Sequence, residues 1–349
     1  MKIGILGGGQ LGRMLALAGY PMGLRFKFYD PKSDACAGQV GELKVGAWDD
    51  WDSLASFAAD LDIVTYEWEN VPAETVLFLS QRVKVHPNIK ALQAAQDRLF
   101  EKQLFERVGL SVPKYVAVES LGELEEAIKL VGLPCVLKTR RMGYDGKGQI
   151  LLRSEADLSG AMNEVGNAPC LVESYVEFDR ELSVIAVCSV GGVTCYSLIE
   201  NEHKKGILQQ SIAPAPNVSS ALQDRANKVA ALIAKELGYI GVFAVELFQV
   251  GDELFGNEMA PRVHNSGHWT IEGAVTSQFE NHLRCILEEL PGPTPNRFRC
   301  VMKNLIGPPD ADELLRVSQK RENVFFHDYG KEPRAGRKFG HYTTIEPLS

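Results

Sequence analysis

Four stretches of this 349-residue chain concentrate side chains that can do chemistry. In the first, Lys138 is followed by the glycine-rich segment RRMGYDGKGQ. A lysine on a strand and a glycine loop suit polyphosphate. Glycine lets backbone N–H groups approach the oxygens, and the ammonium supplies charge. The loop is not a Walker A sequence, because G-x-x-x-x-G-K-[ST] is absent. The second stretch holds two carboxylates, Glu246 in AVELF and Glu258 in NEMAP, with Asn257 beside the latter. Both segments are mostly apolar, so these carboxylates are expected to be buried and to need a partner. A hard divalent cation fits them, since it takes oxygen ligands and bridges phosphates. Register decides whether the pair can work. A three-residue turn, Gly251 to Glu253, sets Glu246 opposite Glu258 on one face, whereas a two-residue turn puts them on opposite faces. A metal site therefore calls for the longer turn.

The third stretch, NEMAPRVHNSGHWT, packs Arg262, His264, Asn265, Ser266 and His268 into one short irregular segment, which points to a binding site. The two histidines are four apart, so zinc has to be weighed. The glycine between them and the lack of H-E-x-x-H speak against a helical zinc site. Hydrogen bonding to a substrate is the better reading, with one of the two histidines structural. The fourth stretch, YGKEPRAGRKFGH, gathers Lys331, Arg334, Arg337 and Lys338 and suits a phosphate monoester. A fifth signal opens the chain. Gly7, Gly9 and Gly12 spell G-x-G-x-x-G after a strand, and Asp30 follows eighteen residues later. That is a dinucleotide fingerprint and raises a nicotinamide oxidoreductase as an alternative. However, the nucleotide signals lie far downstream, around Lys138 and Glu173. Asp30 is followed by Pro31 and is expected to cap a strand end. The turn is expected to form a wall of a substrate site, with Gln10 and Leu11 presenting backbone N–H groups from the helix start.

These residues need elements to hold them. KIGIL, FKFYD, LDIVTYE and VKVHP alternate with helical segments such as QLGRMLALAG over the first 95 or so residues, a β-α-β pattern that implies a parallel doubly wound sheet. Ligands then sit at the carboxyl ends of strands, where Gly7 to Gly12 and Glu67 to Asn70 lie. DRLFEKQLFERVG reads as a helix with Leu99, Phe100, Leu104 and Val108 on its inner face. PCVLKT and QILLRS flank the glycine loop as strands, and CLVESYV is a third. RELSVIAVCSVGGVTCYSLIE is a hairpin turning at Gly191-Gly192. ALQDRANKVAALIAKELG is a helix ending at Gly238, before the hairpin that carries Glu246 and Glu258. The net charge of −8 gives no reason to expect nucleic-acid binding. Seven scattered cysteines without C-x-x-C suggest buried thiols in a reducing compartment. The opening MKIGIL lacks a basic, apolar leader and no stretch is long enough to span a bilayer, so the expectation is a cytoplasmic protein with no membrane partner.

Taken together, GGGQLGRM, TYEWENV, GYDGKGQ, CLVESYV, NEMAPRVHNSGHWT, NLIG at 304–307 and GRKFGH resemble the ATP-grasp superfamily. More closely they resemble its N5-carboxyaminoimidazole ribonucleotide synthetase family, the ATPase subunits of phosphoribosylaminoimidazole carboxylase. The resemblance implies an α/β and α+β ATP-grasp fold. A doubly wound parallel-sheet domain (1–98) lies on the substrate side. A central lid domain (99–180) follows, and then a C-terminal domain (181–349) with the metal and substrate sites. It implies ATP-dependent carboxylation of aminoimidazole ribonucleotide with bicarbonate in purine synthesis, through carboxyphosphate. ATP would meet Arg98, Lys138 and the loop Gly143, Tyr144, Asp145, Gly146, Lys147, Gly148 and Gln149. Glu173, Ser174, Tyr175 and Val176 would read adenine through backbone groups. Glu181 would hold the ribose, with His203 nearby, and Asn257 and Glu258 would border the nucleotide. Glu246 and Glu258 would bind Mg²⁺, or Mn²⁺ in its place. Aminoimidazole ribonucleotide would meet Gln10, Leu11, Glu67, Tyr144, Asp145, Arg262, His264 and Asn265, and its phosphate Lys331, Arg337 and Lys338. Arg262, His264, Lys138 and Asp145 would be catalytic, with His264 or the released phosphate taking the amine's proton. A homodimer and a hand-off to the N5-carboxyaminoimidazole ribonucleotide mutase are also implied. A related ATP-grasp ligase, such as the formate-dependent glycinamide ribonucleotide transformylase, shares the architecture but is not expected to carry VHNSGHWT. One departure stands out: Met142 occupies a position where the family usually has glycine, so a stiffer loop is expected.

Overall fold

A computed structural model describes residues 1–143, 146–308, 310, 315, 319 and 322–348. Its described strands form three sheets that follow one another along the chain. The first contains β1 (Lys2–Leu6), β2 (Arg25–Asp30), β3 (Glu42–Val45), β4 (Ile63–Tyr66) and β5 (Lys84–Val85), all parallel, in the order β3-β2-β1-β4-β5. Ile3, Ile5 and Leu6 are fully buried. A parallel strand covered on both faces reads as a continuous apolar run, which is why KIGIL was legible. β3 was not anticipated. ELKV is a half-exposed edge strand with no apolar run to mark it.

The second sheet is antiparallel. It comprises β6 (Tyr115–Val118), β7 (Cys135–Thr139), β8 (Gln149–Leu152) and β9 (Cys170–Ser174), in the order β6-β9-β7-β8. Its apolar side chains, among them Leu137, Leu152 and Val172, form a cluster of their own with Leu124 of the helix Leu121–Val131. A body with a separate core can shift as a unit at low cost. The third sheet holds β10 (Arg180–Ser189), β11 (Gly192–Cys195), β12 (Ile199–Lys204), β13 (Ile207–Ala213), β14 (Gly241–Val250), β15 (Glu253–Ala260), β16 (Arg299–Ile306), β17 (Val324–Asp328) and β18 (Lys338–Glu346). The first and third sheets share one core. Ile3, Leu11 and Met14 pack in the same cluster as Val242, Trp269 and Leu283. Close packing fixes those two walls relative to each other, while the second sheet hangs over them.

The helix Ser220–Leu237 ends as expected at Gly238, whose φ of 58° is the left-handed conformation that favours glycine. The helix Arg98–Arg107 departs from its expected face. Phe100 is 46% exposed, whereas Glu101 and Lys102 are 2% and 0% exposed and lie inward with Leu104 and Phe105. These buried polar side chains are tolerated because each finds partners on β15, as described below. The seven thiols are free, six of them buried and Cys195 half-buried. Among the described residues no helix is long and apolar enough to cross a membrane.

Candidate active site

One cavity of about 1020 Å³ opens where the three sheets meet. The first sheet contributes Gln10, Leu11 and Glu67 to its wall. The second contributes Lys138, Gly143, Gly146, Gln149 and the stretch Glu173, Ser174, Tyr175 and Val176. The third contributes Glu181, His203, Glu246, Asn257, Glu258, Arg262, His264 and Asn265. Arg98 enters from the helix between, and Lys331, Arg337 and Lys338 come from the C-terminal segment. Residues remote in sequence are thus gathered in one place. Two loop residues are not. Lys147 is exposed and Gly148 packs on Thr139, because the β7–β8 ladder resumes at Lys138 and Gln149 and turns them from the cavity. Tyr144 and Asp145 lie outside the described residues.

The opening glycines cradle a carboxylate of the chain itself. Glu67, just past β4, accepts from the N–H groups of Gly9 at 2.7 Å and of Leu11 and Gly12 at 3.2 Å each. Helix N-termini favour a carboxylate, and here the Glu67 side chain takes that place, although burial outweighs the amides and raises it above its ordinary value. A Cβ on Gly9 would lie 2.6 Å from Glu67 Oε1, and Gly7 has a φ of +98°. The expectation that Leu11 offers its amide to a ligand is therefore corrected: that donor is taken. Asp30 is a strand-end cap, accepting from the amides of Gly8 and Lys32 at 2.8 Å each. Gln10 instead offers its side chain, whose Oε1 accepts from Lys331 Nζ across the cavity.

Glu246 and Glu258 do face each other, but not by the expected route. The turn between β14 and β15 has two residues, Gly251 and Asp252, with Val250 paired to Glu253. That register would place Asn257 opposite Glu246. A β-bulge intervenes, Leu247 pairs with Gly256, and Glu246 pairs with Glu258. The extra residue is Asn257, and it restores the face that the short turn would have lost. Burial, then the charge of Glu258, lifts the Glu246 carboxyl to about 7. Burial opposes ionisation of Glu258 as well, but Arg98 and Lys138 hold its carboxyl below the ordinary value, and Arg98 Nη1 donates to Glu258 Oε2 at 3.0 Å. Two hard-oxygen donors that repel each other fit a divalent cation. Among the described residues there is no cluster of three metal-binding side chains, so further ligands for such an ion come from substrate or water.

The phosphate-side lysine is held as well. Lys138 Nζ donates to Glu173 Oε2 at 2.9 Å, and Lys102 Nζ lies 3.5 Å from the same oxygen. Burial favours the neutral acid, yet the two ammonium groups win and bring the Glu173 carboxyl down to about 2. Next along the chain, the Ser174 and Tyr175 amides donate to the carbonyls of Lys114 and Pro134, so any adenine contact through this stretch falls to Val176 and to carbonyl groups. Glu181 bonds His203 Nδ1. Burial alone would lower His203, but Glu181 and Glu246 carry it above its ordinary value.

Within VHNSGHWT the roles divide. His264 Nε2 stands 3.3 Å from Glu246 Oε1, and its Nδ1 meets Ser266 Oγ at 2.9 Å. Burial, with Arg262 nearby, keeps His264 neutral. Asn265 exchanges two amide hydrogen bonds with Asn304 of NLIG, at 3.0 and 2.8 Å. His268 is 1% exposed and packs on His341 with ring centroids 4.8 Å apart, away from the cavity, so it is the structural histidine of the pair. Arg262 Nε donates to Glu69 Oε2, and Gln96 Nε2 in turn holds the carbonyls of Glu69 and Val71 at 2.9 and 2.7 Å. Arg262 Nη1 also donates to the Val263 carbonyl at 3.0 Å, so Glu69→Ala should remove one of several anchors of the guanidinium, let it shift and lower kcat by about 10²-fold at unchanged fold, since a misplaced group costs about that much; steady-state kinetics beside a circular-dichroism melt check it.

Several of these residues were not singled out from sequence. They are Gln96, Glu101, Lys102 and Asp97, while Glu69 was marked only as part of the strand end Glu67 to Asn70. Asp97 accepts from Arg140 Nε and Nη2 at 3.0 and 2.8 Å and from Arg141 Nε at 3.2 Å, anchoring the stem of the glycine loop. Trp48 and Trp68, stacked at 6.1 Å, also line the cavity. A signal was available in part: Glu101 falls three and four residues before Leu104 and Phe105, and Lys102 three before Phe105, so both lean toward that buried face. In the loop, Met142 has a φ of +62°, a conformation costing an L-residue about 1–2 kcal/mol, which explains why glycine suits that position. Gly146 packs against the β12–β13 tip, and a Cβ there would lie 2.7 Å from Lys205 O. Gly146→Ala should prop the loop away and raise the KM for nucleotide about tenfold with little loss of stability, because loop closure is disturbed and the core is not.

Family models match the chain in three consecutive parts. They are a ribonucleotide synthetase preATP-grasp domain over 1–96, an ATP-grasp domain over 103–279 and a phosphoribosylaminoimidazole carboxylase C-terminal domain over 300–347. The N5-carboxyaminoimidazole ribonucleotide synthase of Pseudomonas aeruginosa is 48% identical over 98% of this chain and 94% of its own length. The chain belongs to the N5-carboxyaminoimidazole ribonucleotide synthase family. Within that family, the crystal structure of the Thermus thermophilus synthetase is 52% identical, with a TM-score of 0.93 over 99% of this chain and 93% of that one. The Aspergillus clavatus synthase, solved in complex with ADP and 5-aminoimidazole ribonucleotide, is 30% identical, with a TM-score of 0.91 over 99% of this chain and 94% of that one.

Proposed function

We infer that this protein is an ATP-dependent carbon–nitrogen ligase that carboxylates 5-aminoimidazole ribonucleotide with bicarbonate, giving N5-carboxyaminoimidazole ribonucleotide, ADP and phosphate in purine synthesis. One observation carries this: a single cavity joins the corner of Lys138, Glu246 and Glu258 to the corner of Gln10 and Lys331. Nucleotide and ribonucleotide can thus lie end to end in one space, which Arg262 and His264 also line.

Glu246 and Glu258, with Asn257 alongside, would hold Mg²⁺, or Mn²⁺ in its place, which when bound would supply charge neutralisation at the phosphates. Val176 and neighbouring carbonyls face the adenine, and Glu181 the ribose. A bicarbonate oxygen attacks the γ-phosphorus, the bond to ADP breaks, and carboxyphosphate forms. Lys138 and Arg262 stabilise charge on the transferring group. The carbon–oxygen bond to phosphate then breaks, and the amine nitrogen bonds to the carbon. Its proton leaves to His264 or to the released phosphate. Lys331, Arg337 and Lys338 hold the phosphate monoester of the acceptor. The second sheet, with its separate core, and the glycine loop against Lys205–Gly206 shield the labile intermediate from water.

The reading divides the chain into 1–98, 99–180 and 181–349 and gives the middle part the role of lid, which the separate core of the second sheet supports. A homodimer and transfer of the product to a mutase complete the reading. Phosphate release measured with bicarbonate and ATP, with and without aminoimidazole ribonucleotide, tests the activity. Strong stimulation by the ribonucleotide is expected. No stimulation, or stimulation by glycinamide ribonucleotide with formate instead, would sink it.

A further inference from the structure

The helix Arg98–Arg107 grips one short piece of β15 from three sides. Arg98 Nη1 bonds the Glu258 carboxylate at 3.0 Å. Lys102 Nζ donates to the carbonyls of Gly256 at 3.0 Å and Asn257 at 2.8 Å, the two residues before Glu258. Glu101 Oε1 accepts from the amide of Met259, the residue after it. These three side chains are spaced i, i+3 and i+4, so one helix face carries them all. They converge where the β14–β15 ladder slips by one residue.

Lys102 is fully buried, and packing gives no reason for an ammonium there. Burying a charge is costly unless it is bonded on all sides. We propose that Glu101 and Lys102 are positioning residues that fix the bulge at Asn257 and so hold Glu258 opposite Glu246. Without them the two-residue turn favours the register that pairs Glu246 with Asn257. Lys102 does more, because it also stands 3.5 Å from Glu173, the partner of Lys138. One ammonium thereby ties the carboxylate pair to the phosphate-side lysine across two sheets.

This inference rests on Glu246 and Glu258 as cation ligands, and its test separates the two ideas. Mn²⁺ is titrated by electron paramagnetic resonance in the presence of ADP, against wild type, Glu258→Gln, Lys102→Met and Leu104→Ala. Leu104 is a fully buried apolar residue of the same helix and reports stability loss alone. Lys102→Met should bind Mn²⁺ about tenfold or more weakly, as removal of an outer-shell partner does, while Leu104→Ala keeps wild-type affinity with a lower melting temperature. Wild-type affinity in Lys102→Met, or equal losses in both variants, overturns the positioning role. Equal binding by wild type and Glu258→Gln instead overturns the cation site itself. Should Lys102→Met prove insoluble, Lys102→Arg and Glu101→Leu are read by the same outcomes. Arginine keeps the charge, but its longer, planar guanidinium does not reproduce the compact ammonium between the two carbonyls and Glu173.

Discussion

Glu258→Gln should lower kcat by about 10³-fold, with the chain still folded, since charge stabilisation of several kcal/mol is removed at 1.36 kcal/mol per factor of ten. Glutamine is nearly isosteric and keeps an acceptor oxygen for Arg98, which bonds Glu258 Oε2 at 3.0 Å. What disappears is one of two facing negative charges. The Glu246 carboxyl, lifted to about 7 by burial and by Glu258, is then left as the lone carboxylate of the pair. A cation bound between them loses half of its protein charge. Phosphate release at saturating substrates gives kcat, and a thermal melt shows that the fold persists. Activity within about tenfold of wild type would remove Glu258 from the chemistry.

Glu173→Gln should cost stability more than any surface change, about 3–5 kcal/mol, because breaking a buried pair leaves charge uncompensated. Here two ammonium groups lose one partner. Lys138 and Lys102 lie 2.9 and 3.5 Å from Glu173 Oε2, and Lys102 is fully buried. The pH dependence has a definite sign. The Glu173 carboxyl lies at about 2 in the folded chain against 4.5 ordinarily. A depressed acid contributes stability that is complete above the unfolded value and is lost as pH falls through the folded one. The advantage of wild type over the variant, on the order of 3 kcal/mol from that shift, should be complete above pH 4.5 and fade toward pH 2. Urea unfolding at a series of pH values measures it. A constant gap across that window would show that Glu173 is not the charge that holds the two lysines.

The fold was legible where one physical signal dominated. β1, buried on both faces, announced itself as an apolar run, and the helix Ser220–Leu237 carried its own stop at Gly238. The order of motifs along the chain likewise located the cavity's main residues. What escaped notice depended on contacts between distant segments. The bulge at Asn257 has no local marker, because turn length and bulge together decide whether Asn257 or Glu258 faces Glu246. Glu101 and Lys102 look like a solvated helix face until the bulge carbonyls and the Met259 amide are placed beside them. The glycine fingerprint was sound about backbone geometry and misleading about the anion. Gly9, Leu11 and Gly12 receive the carboxylate of Glu67, a residue at the end of a different strand. Periodicity and propensity act over a few residues, whereas the contacts of Glu67, Glu101 and Lys102 close loops of about fifty residues or more.

The most direct measurement follows the carbon. Carbon-13 bicarbonate, ATP and aminoimidazole ribonucleotide are mixed with the enzyme, and the label is followed by nuclear magnetic resonance while phosphate is counted. The cavity geometry predicts a labelled carbamate on the ribonucleotide amine, formed in step with phosphate and absent without ATP. Phosphate release that leaves every label in bicarbonate would contradict it, because nucleotide hydrolysis would then be uncoupled from the acceptor.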